Sequence, residues 1–285
     1  FLMQRFIIAI FLMLFSHAQY AQNIVSGKVI DAATKEAIPY VHIGIANKNY
    51  GTISTDDGNF QLKLPENVDL KNISISFSCI GYKLVSVAAS AIKKENTVLL
   101  HRDILALDEV VITKKQRKIK SKKIGAYRKS IFNLGEANTN NYGVGKEYGI
   151  AIPYPKHDYR VKSINFQLSE NTIDSVLYRL NIYKISSDGM PKNSILKKQL
   201  FVKSYFGEKL IMLDVTSEAI QIEETIVITI EPVRLWYEED DDNLLFYKHA
   251  KGYSEATYHR KSSLSPWLKD EIPVLSIFLD ATYEK

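Results

Sequence analysis

Thr55-Asp56-Asp57-Gly58-Asn59-Phe60-Gln61-Leu62-Lys63-Leu64 decides the fold of the N-terminal third. It opens as a turn and continues as an alternation that puts Phe60, Leu62 and Leu64 on one face. Gly58 tolerates a positive φ, and Asp56 or Asp57 offers a carboxylate to cap the turn's amides. Alternation with period two is the mark of a half-buried strand. The same pattern runs outward in both directions. Upstream it gives Val25, Gly27 and Val29, then Val41, Ile43 and Ile45; downstream, Ile73 to Cys79, Val98 and Leu100, then Val110 and Ile112. Asp31-Ala32, Pro65-Glu66-Asn67 and Gly81 punctuate the runs. About seven short strands in roughly 90 residues predict a small β-sandwich. Ser74, Ser76 and Ser78 then face water or a partner. Asp56, Asp57 and Asn59 supply too few oxygens for calcium, and Cys79 reads as a small buried hydrophobe.

These residues resemble a known family. Ser26 to Asp31, Ile38 to Val41, Gly51-Thr52, Thr55 to Phe60, Ser78 to Tyr82 and Leu107 to Thr113 look like the carboxypeptidase regulatory-like domain. The match runs over residues 24–113. The resemblance implies a seven-stranded, transthyretin-like Greek-key sandwich of the gram-negative cell envelope. It implies no peptidase activity, because in the peptidases this domain is an accessory to a separate catalytic unit. The same variety often precedes a TonB-dependent receptor plug and barrel. The residues that follow are too few for a barrel.

Composition narrows the rest. The chain has 285 residues, 46% hydrophobic and 24% charged, an ordinary globular balance that excludes wholesale disorder. Its one cysteine excludes a disulfide framework, a zinc ribbon and a CxxC redox site. The net charge of +5 is concentrated. Residues 114–125 (KKQRKIKSKKIG) hold seven basic and no acidic residues, whereas residues 126–285 hold 20 basic and 22 acidic. A short basic stretch between near-neutral blocks reads as a solvated linker, with contact to anionic lipid or polysaccharide as its rival. It lacks the basic face that nucleic-acid binding requires. Phe6 to Phe15 is an apolar run shorter than a membrane span, followed by Ser16-His17-Ala18 and Ala21. That layout predicts a signal peptide over residues 1–21 and an exported mature chain without a transmembrane segment.

The domain reading is therefore signal peptide 1–21, regulatory-like sandwich 22–113, basic linker 114–125 and second domain 126–285. Alternation in Val161–Leu168, Val176–Ile182 and Val274–Asp280, with buried runs at Leu210–Leu213 and Thr225–Glu231, predicts a second, jelly-roll-like β-sandwich. Tyr142–Ile152 reads as an edge strand, and Leu213–Glu218 as a short helical turn capped by Asp214 or Thr216. Ser186–Pro191 and Tyr205–Glu208 read as turns. The acidic run Glu238-Glu239-Asp240-Asp241-Asp242-Asn243 reads as a solvated hairpin tip. It is flanked by aromatics, and Trp236, Tyr237, Tyr247, Tyr253, Tyr258 and Trp267 are the candidate ligand-binding residues. Flat aromatic faces present apolar area at low entropic cost, and nearby carboxylates bond hydroxyls.

Catalytic signatures are missing from the sequence. His42, His101, His157, His249 and His259 sit in no HxxE, HExxH or HxH pattern, and no GxSxG elbow or Walker motif exists. The expectation is a two-domain, all-β, exported, non-enzymatic protein with no catalytic, cofactor or metal site. It would dock to an outer-membrane protein or a surface glycan, in the periplasm, at the outer membrane or outside the cell, and would bind no nucleic acid. The rivals are a secreted hydrolase with a carboxylate pair in the second domain and a barrel-less remnant of a TonB-dependent receptor system.

Overall fold

The computed structural model describes residues 23–66, 68–92, 96–103, 118–135, 143–155, 157–238, 243–262, 264–270 and 274–284. The expected signal peptide over residues 1–21, the closing Leu107–Thr113 motif, residues 114–117, the expected loop Asn138–Asn141 and acidic residues 239–242 lie outside these. Among the described residues, every regular element apart from two single 3-10 turns is a strand.

Seven strands build the first domain: β1 (Asn23–Asp31), β2 (His42–Gly44), β3 (Gly51–Ile53), β4 (Asn59–Leu64), β5 (Ser74–Ser78), β6 (Val85–Ala88) and β7 (Asn96–Leu100). They form two sheets, β4-β1-β7 and β3-β2-β5-β6, with β1 and β7 parallel. The alternation does what period two requires: Phe60, Leu62 and Leu64 are all buried, joined by Val25, Val29, Ile75, Phe77, Val98 and Leu100. Phe60 meets Phe77 edge-on at 5.4 Å between centroids. Gly58 has φ 74°, and a side chain there would collide with the Val29 carbonyl, so the turn needs glycine. The backbone itself closes this turn, Gly58 N–H donating to Thr55 O. The Asp56 carboxylate, expected as a cap, pairs instead with Arg234 of the second domain. Cys79 is buried, and burial pushes its thiol up to about 11.

The second domain stacks two seven-stranded sheets around one core. One has the order β13-β12-β17-β10-β19-β20, with β14 on β12. Its strands are β10 (Glu147–Ile152), β12 (Ser175–Ile185), β13 (Pro191–Ser194), β14 (Leu200–Tyr205), β17 (Ile226–Trp236), β19 (Thr257–Arg260) and β20 (Leu268–Asp270). The other has the order β8-β21-β11-β18-β9, with β15 and β16 on β11. Its strands are β8 (Ile119–Gly125), β9 (Lys129–Gly135), β11 (Tyr159–Asn171), β15 (Leu210–Asp214), β16 (Gln221–Ile222), β18 (Leu245–Ala250) and β21 (Ile277–Glu284). Ile150, Val176, Tyr178, Leu180, Ile228 and Ile230 of the first sheet face Ile164, Phe166, Leu168, Ile277 and Leu279 of the second. Phe166 and Tyr178 meet edge-on at 4.9 Å.

Several elements differ from the sequence reading. Ile119–Gly125, the second half of the basic segment, is a strand paired with β21, so the second domain's sheet begins there. Strand β10 lies between β17 and β19 and is interior, where an edge was expected. Gly149 makes this packing feasible, since a Cβ there would strike the Ile228 carbonyl. Leu210–Leu213 is not a buried run: β15 pairs only with β11, and Leu210 and Met212 are 54% and 61% exposed while Ile211 is buried. Strands β17 and β18, before and after the acidic run, belong to different sheets, and residues 239–242 of the run lie outside the described residues. The short helical turn is present at Thr216–Glu218, where Asp214 Oδ1 accepts from Thr216 N–H at 2.8 Å.

Candidate functional site

In strand β12, Val176, Tyr178, Leu180 and Ile182 point into the core, so Ser175, Leu177, Arg179, Asn181 and Tyr183 take the opposite face. In β17 the same logic turns Val227, Thr229 and Glu231 outward. The first domain covers the middle of this outer face. Arg179 Nη1 donates to the Tyr40 carbonyl at 2.5 Å and to Gln199 Oε1 at 2.8 Å. Tyr40 reaches this position through a left-handed backbone, φ 56°. Its ring meets Phe201 edge-on at 5.4 Å. Arg179 Nε and Nη2 clasp the two oxygens of Glu231 at 2.9 and 3.0 Å. His42 Nε2 lies 2.9 and 3.0 Å from the same carboxylate and also contacts Arg179 Nη2. A proton on Nε2 serves the carboxylate, and a lone pair there serves the guanidinium. His42 is in register with Ser78, whereas Ser74 is exposed and Ser76 bonds Ser86 within the first domain.

A second ion pair continues the network inward. Glu147 takes the Arg260 guanidinium and accepts from Asn181 at 2.9 Å, from the Tyr183 hydroxyl at 2.9 Å and from Thr229. Trp267 closes the far end, 4.7 Å over Arg260 and edge-on to Tyr183 at 5.6 Å. Both carboxylates are fully buried. Burial pushes the Glu231 carboxyl up, but Arg179 and His42 outweigh it and hold the group well below the usual carboxylate range. Burial, reinforced by Arg179, holds the His42 imidazole below its ordinary value. His42, Glu147 and Glu231 each place a ligand atom within 4.8 Å of the others. A metal ion there would have to displace both guanidiniums. Two arginines against two glutamates already balance the charge, so the donor set fits an ion-paired lock and does not fit a metal.

Beside the lock lies a cleft of about 390 Å³ between the domains, lined among others by Tyr40, Thr52, Thr55, Asp56, Arg234 and Ser262. Arg234 links this cleft to an aromatic ladder. Ser175 is opposite both Tyr205 and Trp236, and Leu177 is opposite both Lys203 and Arg234, giving two adjacent rows on one face. Lys203 Nζ lies 4.0 Å and Arg234 Cζ 4.6 Å from the Trp236 ring, with Lys203 also 5.4 Å from Tyr205. Tyr205 and Phe206 are 54% and 67% exposed.

The six candidate aromatics thus occupy three settings. Trp236 belongs to the ladder, and the exposed Tyr237 follows it. Tyr247, Tyr253 and Tyr258 are interior: Tyr247 and Tyr253 pack on the main core. Tyr253 donates to the Ala151 carbonyl at 2.8 Å, and the buried Tyr258 donates to the Gly189 carbonyl at 3.0 Å. Trp267 covers the lock. Sequence reasoning missed His42, Arg179, Glu231, Glu147, Arg260, Tyr205 and the cleft residues. One signal was available: Arg179 and Glu231 are charges inside long apolar strands, on the phase that avoids the core.

Comparison with known proteins matches the segment that carries His42. The first domain is similar to the CarboxypepD_reg-like domain. The family model matches residues 25–112. No curated protein matches the chain. Among solved structures, a chain of the T13 viral particle of IBDV is similar at TM-score 0.27 and 10% identity, over 92% of this chain and 61% of that one. BcpA, the major pilin subunit of Bacillus cereus, is similar at TM-score 0.19 and 12% identity, over 90% and 69%. This chain thus spans less than two thirds of the viral one. Neither likeness bears on function. The first domain supplies His42, Tyr40 and Asp56 to the interface, with Thr52 and Thr55 in the cleft wall; the second domain supplies Arg179, Glu231 and Arg234.

Proposed function

We propose that the protein is an exported, non-catalytic module of the cell envelope that binds an envelope partner or glycan through the mouth of the interdomain cleft. The observation that carries this reading is the continuity at Arg234. A polar cleft within the size range of small-ligand sites shares Arg234 with the Trp236 ring, from which Lys203 and the exposed Tyr205 continue. The regulatory-like domain, an accessory wherever a peptidase carries it, supports a scaffold role. No helix among the described residues is long and apolar enough to cross a membrane.

The hydrolase reading would need a carboxylate pair open to substrate. Among the described residues, Glu147 and Glu231 are the buried carboxylates that come together, but each is engaged by an arginine and neither reaches solvent. Glu231 is moreover held ionised, the opposite of a general acid.

The test is to tag the mature protein in its native cells, crosslink the envelope lightly and identify what co-purifies with the outer-membrane fraction. A reproducible envelope protein or glycan, lost when Tyr205 and Trp236 are both replaced by alanine, is the expected result. Recovery that ignores this double variant overturns the site, and recovery of nothing overturns the reading.

A further inference from the structure

We propose that the ligand of this site is an uncharged, hydroxyl-rich glycan, lying across the Tyr205 ring and placing a sugar in the cleft beside Asp56 and Arg234. The inference rests on the binding-module reading and names its ligand class. Three observations point to it. The cleft is lined by donors and acceptors together: Thr52, Thr55 and Ser262 stand beside Asp56 and Arg234. The two charges pair with one another across the domains, so the cleft has no net charge to offer an ion. Sugar hydroxyls both donate and accept, and they suit such a mixed lining.

The second observation is the ladder. Lys203 and Arg234 pack on the Trp236 indole, Lys203 also reaches to 5.4 Å from the Tyr205 ring, and Tyr205 remains 54% exposed. An exposed aromatic ring held among its neighbours offers a face on which the apolar C–H face of a pyranose stacks. The third is charge. The exposed Glu238 stands two residues beyond Trp236 and disfavours a polyanion beside the ladder. The basic residues Lys120, Lys122 and Lys123 lie instead on strand β8, in the other sheet.

Laminarin, yeast mannan and xylan serve as neutral probes in calorimetric titration of the full mature chain, with polygalacturonate as the anionic comparator. Saturable binding of at least one neutral glycan, little changed by salt, is expected. Tyr205→Ala and Asp56→Asn should each weaken it about tenfold, the equivalent of roughly 1.4 kcal/mol. The double reversal Lys122→Glu/Lys123→Glu should leave it within about twofold. Tyr205 is exposed, so its variant should melt like the parent; Asp56→Asn keeps the side-chain shape if folding is in question. Three results overturn the proposal: no neutral glycan binds, binding ignores both site variants, or polygalacturonate alone binds and is lost with the β8 reversal. If none binds while the crosslinking experiment still yields a membrane protein through the same site, the glycan inference fails and the docking reading stands.

Discussion

Arg179 is the residue on which the interface turns. It is buried, and its guanidinium serves Glu231, Gln199, the Tyr40 carbonyl and His42 at once. Removing one member of a buried ion pair leaves an uncompensated charge, which costs about 3–5 kcal/mol. Arg179→Met should therefore lower stability to urea by that amount, and the double variant Arg179→Met/Glu231→Leu should recover most of it. If the double variant is as weak as the single one, Arg179 acts through packing alone. His42 makes the lock sensitive to acid. Its folded-state value lies below the ordinary one near 6.5, because burial and then Arg179 disfavour the imidazolium. Arg260 adds to this, and the Glu231 carboxylate opposes it. The unfolded chain therefore binds the proton more readily, and stability present above about pH 6.5 is lost as the pH falls below it. One such group contributes a slope of at most about 1.4 kcal/mol per pH unit. His249 is also held low by burial and adds to the same trend. Melting temperatures between pH 7.5 and 5.5 should fall, and His42→Gln should flatten the fall. An unchanged slope in that variant would remove His42 from the account.

Strand β10 shows how an element depends on one small residue. It lies between β17 and β19, and Gly149 faces Thr229 in the β17 register. Overpacking at such a contact costs roughly 1–3 kcal/mol. Gly149→Ala should lower the melting temperature by several degrees without changing the circular dichroism of the folded state. A neutral effect would mean that the strand shifts at little cost. Strand β8 carries a different lesson. Its composition reads as a solvated linker, yet Ile124 is buried and its backbone pairs with β21 from Ile119 to Gly125. Lysines on an edge strand discourage pairing with other chains. A basic run and a protected edge have the same composition, and only the pairing tells them apart.

For the molecule as a whole, the two sandwiches behave as one unit to the extent that the lock holds. Asp56–Arg234, His42–Glu231 and the Asn47 N–H to Leu264 carbonyl bond tie them together, and Ile80 of the regulatory-like domain packs on the second domain's core. Scanning calorimetry should show a single transition for the parent. The double variant His42→Ala/Asp56→Ala should split it into two. A split already present in the parent would show that the interface contributes little to stability.

Alternation, turn residues and glycine placement were legible without coordinates, and they determined that the chain is all-β, that the first third is a seven-stranded regulatory-like sandwich and that a second sandwich follows. These are local signals, written within ten or so residues of where they act. The candidate site was legible only at Trp236 and Tyr237. Its other parts come from residues far apart in the chain: Arg234 meets Asp56 across 178 positions, and His42 meets Glu231 across 189. Which face of a strand is buried follows from period two, but what covers the opposite face does not. Tertiary structure alone decided that the outer face of β12 and β17 is roofed by the first domain, turning two charges inside apolar strands into a lock and leaving a cleft beside it.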